Sequence, residues 1–254
     1  MKRYYSGLTD PGLIRSSNQD AYCIDSVGRF FIVADGMGGH AGGQEASRLA
    51  TEAIQTHLEK HWSDDTGTDI LLKEALLSAN RAILDDQIRH PERADMGTTV
   101  VVLTFRDGDD SPWCAHVGDS RLYRLRGHHL DQITEDHTWI ARAIREGELS
   151  QTQSRNHPWR HVLSQCLGRE DLTQLEVQPL EVHPGDRLLL CSDGLTEELS
   201  DHLIASHLKS IRSCEAAATA LINSAKQRGG RDNITVVIVA LQPTVSGSTL
   251  LGSV

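Results

Sequence analysis

The sequence has no apolar run that approaches the roughly 20 residues of a membrane-spanning helix, and its opening stretch, MKRYYSGLTD, carries no apolar signal core. It also lacks any block of Lys and Arg. Twenty-five basic residues against 35 acidic ones give a formal charge of -10, which excludes the clustered cationic footprint of a nucleic-acid surface. Cysteines are few and scattered. Cys23, Cys114, Cys166, Cys191 and Cys214 sit in apolar surroundings and form no CxxC pair, so they read as free thiols of a reducing compartment and not as disulfides or zinc ligands. A soluble cytoplasmic protein, with neither nucleic acid nor membrane as partner, is expected. At 254 residues the chain is most simply one domain, long enough to bury a core without disulfides or a structural metal.

What the chain does have is a series of short β-rich runs. RFFIVAD, GTTVVVLTF, SPWCAHVGD, RLYRL, DRLLLCSD and NITVVIVAL are rich in Val, Ile, Thr and aromatic residues and are bounded by Gly, Asp or Pro, as strands are. Helical spacing interrupts them. Over 45–62, Ala46, Leu49, Ala50, Ala53, Ile54 and Leu58 recur at three- and four-residue steps, the mark of one buried helix face. Leu71, Leu72, Ala75, Leu76, Ala79, Ile83 and Ile88 repeat it over 68–90, with Thr68 placed as a cap. Shorter helices are predicted over 138–146, 201–210 and 215–227. Paired long helices followed by consecutive strands predict layered α+β structure, not a regular βαβ alternation. The polar, proline-containing LSQTQSRNHPWR at 149–160 reads as a surface insertion, and PTVSGSTLLGSV as a frayed tail.

Aspartates repeat one pattern. Asp35 closes FIVAD, Asp119 closes AHVGD, Asp193 closes LLLCSD, and Asp232 precedes the strand-like ITVVIVA. A single Asp-Gly after a strand is ordinary turn chemistry, and Asp35-Gly36 is read as a turn in backbone terms. Four carboxylates aimed from the ends of apolar runs ask for more, because burying them together is unfavourable unless cations neutralise them. An all-oxygen set, without Cys or paired His, suits hard divalent ions such as Mg or Mn. The glycine run after Asp35 has no GK[ST] continuation and is read as a packing device that lets the Gly36 carbonyl approach a metal. His40 is one of 13 histidines. It reads either as a solvated or capping residue or as a general acid beside a metal site. Arg15, in RSSNQDAY, reads either as a solvent-facing cation or as a bidentate anion ligand.

RSSNQDAY, VADGMGGHAGG, MGTTVVVL, AHVGDSRLYRL, SQCLG, LLLCSDGLTEEL and GGRDNITVV, in that order between residues 9 and 240, together resemble the metal-dependent serine/threonine protein phosphatases of type 2C in their short bacterial form. The resemblance implies an α+β fold, a four-layer αββα sandwich of two central antiparallel β-sheets flanked by pairs of helices. It implies one catalytic domain over 1–242, a flap at 149–168 and a flexible tail over 243–254. Asp35 matches the aspartate that bridges two metals, with the Gly36 carbonyl on the second ion. Asp193 and Asp232 match the remaining carboxylates of the first ion, and Asp119 with Asp193 matches the place of a third, weaker one. Two or three Mn or Mg ions are thus implied. Asp20 matches an acidic residue that contacts metal-bound water, and Asn233 supports the site from alongside. Arg15 matches the phosphate-binding arginine and His40 the general acid, while His161, in the flap, is expected to touch substrate.

The implied reaction is hydrolysis of phosphoserine and phosphothreonine in proteins by a metal-bridging water, with no phosphoenzyme. At finer grain, MGGHAGGQEASRLA, RADMGTTVVV, WCAHVGDSRLYR, DHTWIA and HPWRHVLSQCLGREDL resemble the cyanobacterial branch that acts on the phosphorylated PII nitrogen-signalling protein. Phospho-PII is therefore the expected partner of a monomeric enzyme. The alternatives are a phosphatase of the same family acting on other phosphoproteins, and a non-catalytic module whose carboxylates hold structural ions. Arg15 and His40 beside the carboxylates favour the enzyme.

Overall fold

In the run Phe30 to Val33 every side chain is buried, which a strand satisfies only with a packed layer on each face. Phe30 and Ile32 join one core with Ile54, Leu72 and Leu76. Their neighbours Phe31 and Val33 join a second core with Val101, Leu188 and Val237. The same alternation recurs near the other end of the chain. Val236 and Ile238 enter a third core with Leu195, Leu208 and Leu221, while Val237 and Val239 return to the second. Two sheets back to back, each with helices on its outer face, are the arrangement that meets this period-two demand.

The computed structural model describes residues 1–39, 41–109, 111–150, 153, 157–159, 161–173 and 175–243. One sheet runs β2 (Asp20–Ile24), β3 (Phe30–Met37), β5 (Val100–Thr104), β6 (Trp113–Val117) and β9 (Glu176–Pro179), with β4 (Gly97–Thr98) paired to β3. The other runs β1 (Lys2–Asp10), β11 (Ile234–Gln242), β10 (Arg187–Cys191), β7 (Arg121–Arg126) and β8 (His129–Gln132). Every pairing is antiparallel. Helices α1 (Gly42–His61) and α2 (Thr68–Arg89) cover the first sheet. A short α3 (Trp139–Arg145) precedes the flap segment. The second sheet is covered by α4 (Asp193–Thr196), α5 (Asp201–Ser210) and α6 (Cys214–Arg228). This is the expected αββα sandwich.

Some local expectations need correction. Thr68 does not cap α2: Gly67 holds the cap position, and the Thr68 hydroxyl donates to Asp109 Oδ2 at 2.7 Å. Ile88 belongs to no buried face and is 79% exposed, because five residues past Ile83 it falls off the stripe that Ile83 and the buried Asp86 continue. Asp35-Gly36 is not a turn. Both residues lie inside β3, which continues past Val33 by pairing Gly36 with Thr98 and Met37 with Gly97. The described cysteines are free, four of them buried and Cys23 partly so. Of the expected tail, 244–254 lies outside the described residues, as do 151, 152, 154–156 and 160 of the flap. No helix among the described residues is long and apolar enough to cross a membrane.

Candidate active site

The β2–β3 pairing sets Asp20 directly opposite Asp35. Asp119 follows β6 by two residues, Asp193 opens α4, and Asp232 stands two residues before β11. Four of these carboxylates converge. Asp35, Asp119, Asp193 and Asp232 line one cleft of about 420 Å³, together with Arg15, Gly36, His161 and Asn233. Asp20 lies beneath that lining, buried, and its Oδ2 accepts from the hydroxyls of Ser192 and Thr235 at 2.7 Å each. His40 lies outside the described residues.

Backbone contacts hold Asp35 in place. Its carbonyl accepts from Thr98 Oγ1 at 2.8 Å and Thr99 N at 2.9 Å, and its N–H donates to Thr99 Oγ1 at 3.1 Å. Gly36 and Gly43 pack face to face, so that a Cβ on Gly36 would collide with the Gly43 carbonyl. The glycine run is therefore the packing device expected of it: it brings the start of α1 against β3 and leaves Gly36 on the cleft wall. Asn233 accepts from Gln19 N at 2.7 Å and donates to the carbonyls of Ser17 (2.9 Å) and Pro11 (3.0 Å). It thus ties down the loop that carries Arg15, whose Nη2 sits 2.6 Å from Asp232 Oδ2.

The electrostatics are those of crowded acids. Burial pushes the Asp20 carboxyl up to about 7 against the hydrogen bonds from Thr235 and Ser192, and the charge of Asp193 adds to the rise. Asp193 is raised to about 6, by burial first and then by Glu197 and Asp232. Burial and the neighbouring aspartates hold Asp35 and Asp119 well above the usual carboxylate range. Asp20 Oδ1 and Asp193 Oδ1 are buried without a hydrogen-bond partner. The guanidiniums among the lining residues are Arg15 and Arg169, and Arg169 is already paired with Asp171 at 2.8 Å. Orphaned oxygens, surplus negative charge and four converging carboxylates fit hard divalent cations.

Some members of the site were not found in the sequence. Ser192 and Thr235 fix Asp20, Thr99 fixes Asp35, and Gln19 and Arg169 line the cleft. Glu197 Oε1 lies 2.6 Å from His161 Nδ1, and with Asp193 these residues bring three potential ligand atoms within 4.8 Å of one another. The available signal was polarity: Ser192 and Thr235 are hydroxyls at the ends of otherwise apolar strands.

Fold and site together define an antiparallel αββα sandwich with an acidic, cation-binding type of centre at the strand ends. Residues 15–229 match the family model of protein phosphatase 2C, and the chain belongs to that family. It is 37% identical over 240 residues to the serine/threonine protein phosphatase PstP of Mycobacterium tuberculosis, covering 92% of this chain and 44% of that relative. The chain thus spans less than half the length of the mycobacterial protein. With the serine/threonine phosphatase stp of Listeria monocytogenes it shares 34% identity over 244 residues, 94% of this chain and 96% of the relative. The crystal structure of the catalytic domain of PstP in complex with two manganese ions superposes with a TM-score of 0.81 at 34% identity, covering 95% of this chain and 99% of that one.

Proposed function

We propose that the protein hydrolyses phosphoserine and phosphothreonine esters in proteins with Mn or Mg held by Asp35, the Gly36 carbonyl, Asp119, Asp193 and Asp232. The observation that carries this reading is the convergence of those carboxylates in one cleft with an arginine at its rim and buried carboxylate oxygens left unpartnered. The manganese pair in the related PstP structure supports the choice of ion. When bound, such ions supply a water acidic enough to attack phosphorus at neutral pH. The remaining steps belong to the chain. Arg15, anchored by Asp232 and by the loop that Asn233 holds, orients the phosphoryl oxygens and offsets their charge. Asp20 supports the cluster from beneath. His40, five residues beyond Asp35, protonates the departing serine or threonine oxygen, and His161, on the flap wall of the cleft, contacts substrate.

Phospho-PII is the substrate we assign, on the likeness of the flap segment HPWRHVLSQCLGREDL to phosphatases of that signalling protein. In this reading the catalytic unit spans 1–242 with its flap at 149–168 and works as a cytoplasmic monomer. The test is turnover of para-nitrophenyl phosphate and of a phosphoprotein panel that includes serine-phosphorylated PII, with Mn and then with chelator. Chelator-sensitive turnover, fastest on PII and lost in Asp193→Ala, is expected. Full activity of Asp193→Ala would sink the mechanism; equal rates across the panel would sink the substrate.

A further inference from the structure

The segment DHTWIA, 136–141, lies outside the cleft lining, yet its His137 is buried and grips the turn that presents Asp119. Both backbone groups of Gly118 are held by this one residue. The His137 N–H donates to the Gly118 carbonyl at 3.0 Å, and the Gly118 N–H donates to His137 Nδ1 at 3.2 Å. Gly118 has φ +102, and a Cβ there would strike Thr99. The turn therefore requires glycine, and its backbone is the handle by which it is held.

The other side of His137 faces the flap. Its carbonyl accepts from Ser164 N at 2.8 Å, and Trp139 N donates to the Val162 carbonyl at 2.8 Å. Thr138 forms a bridge with Leu163 between them. Further along the same limb, Leu167 exchanges hydrogen bonds with Thr98 at 2.8 and 3.1 Å, and the Thr98 hydroxyl donates to the Asp35 carbonyl. The returning limb of the flap is thus tied to the supports of two site aspartates.

The hydrogen-bonding role of the ring follows from its partners. A backbone N–H can only donate, so Nδ1 of His137 accepts and carries no hydrogen. Nε2 lies 3.3 Å from Glu176 Oε1 without a hydrogen bond between them. His116 stacks on the ring at 4.7 Å and 28°. Its Nε2 donates to the Glu135 carbonyl at 2.9 Å, and burial holds it below the usual imidazole range. The three side chains are close enough to suggest a metal centre. A metal-bound histidine, however, donates through its other nitrogen, whereas His137 accepts there. The cluster is a strut and not a metal centre.

We propose that His137 is a positioning residue that fixes the Asp119 turn and couples it to the flap limb, so that cation affinity at Asp119 and the placement of the flap depend on one imidazole. The coupling rests on the assignment of Asp119 as a cation ligand; the clamp on Gly118 does not. The variants are His137→Leu, which removes the acceptor, His137→Asn, which returns an oxygen near the Nδ1 position, and Glu176→Ala, which removes the carboxylate beside the ring at a partly exposed position. In metal-free protein, amide exchange at Gly118 and Ser164 should quicken about tenfold in His137→Leu, less in Glu176→Ala, and return toward wild type in His137→Asn. Calorimetric Mn titration of the same proteins should show the Asp119-dependent binding weakened about tenfold in His137→Leu and rescued in His137→Asn. Unchanged Gly118 exchange in both His137→Leu and Glu176→Ala overturns the clamp, and Glu176→Ala decides alone if His137→Leu does not fold. Unchanged Mn affinity in His137→Leu, where Asp119→Asn weakens it, overturns the coupling. If Asp119→Asn itself leaves Mn binding intact, the ligand assignment fails, and faster exchange at Gly118 still supports the clamp.

Discussion

At the scale of single residues the site divides into groups that face the cleft and groups that hold them. Asn233 is of the second kind. It is buried and makes three hydrogen bonds to the 11–19 segment, so its effect on phosphate binding runs through the position of Arg15. Arg15 itself is exposed over half its side chain, and its guanidinium alone can meet two phosphoryl oxygens at once. The two residues should therefore fail differently. Asn233→Ala leaves buried backbone groups unpaired and should cost about 1–3 kcal/mol of stability, read as a lower Tm, together with a raised KM. Arg15→Lys should leave Tm within about 2 °C of wild type, as surface changes do, and lower kcat/KM about tenfold or more. A normal Tm for Asn233→Ala would remove its structural role. The aspartates were legible in the sequence because each ends or precedes an apolar strand; Ser192, Thr235 and Glu197 were not. Their meaning depends on Asp20 and His161, residues far away in the chain that only strand pairing and the flap bring alongside.

At the scale of elements, the hairpin of β2 and β3 does most to place the site, since it sets Asp20 against Asp35. Its loop is held by Asp25, buried to 3% exposure, whose carboxylate accepts from Val27 N, Arg29 N and the Arg29 guanidinium at 2.6 to 3.1 Å. Burial pushes the Asp25 carboxyl up, but these hydrogen bonds outweigh it and hold it below the usual range. A depressed pKa contributes stability that is present above the ordinary carboxylate range and is lost as pH falls through the folded value. Asp25→Ala should thus cost about 1–3 kcal/mol near neutral pH and progressively less below about pH 4. Denaturant unfolding at both pH values checks it, and a cost independent of pH would refute the carboxylate as its source. The long helices and the central strands were readable because their burial is periodic or continuous. The strands β1, β2, β8 and β9 were not, and the reason is physical. They run with mixed or partial burial at or near sheet edges, so no apolar repeat marks them. Ile88 misled in the opposite sense: apolar like its neighbours, it stands five residues past Ile83, off the three- and four-residue stripe that buries Ile83 and Asp86.

At the scale of the whole molecule, the fold concentrates negative charge in a chain already at -10, and stability and function pull in opposite directions there. Asp20 and Asp193 are raised to about 7 and about 6. A raised carboxyl contributes stability that is fully present below its unfolded value, near 4, and is lost as pH rises through the folded one. Between pH 4 and 8 the metal-free fold should therefore weaken as the cluster ionises. Buried histidines work against this trend, since burial lowers both His57 and His116, so a pH profile of the wild type mixes the two. Asp20→Asn separates them, because the histidines are common to both proteins. Its gain in Tm over wild type should be small near pH 4.5 and reach about 2–4 °C near pH 8, the equivalent of about 1 kcal/mol for a chain of this size. Cations reverse the balance. At about a hundredfold excess over Kd they stabilise the wild type by about 2.7 kcal/mol, and Asp20→Asn, with its cluster less anionic, should gain less, so that its advantage shrinks or inverts with Mn. Calorimetric scans at the two pH values, with chelator and then with Mn, read all four corners. An advantage that is flat in pH, or that survives saturating Mn, would mean that Asp20 is not held at the expense of the apo fold for the sake of the cations.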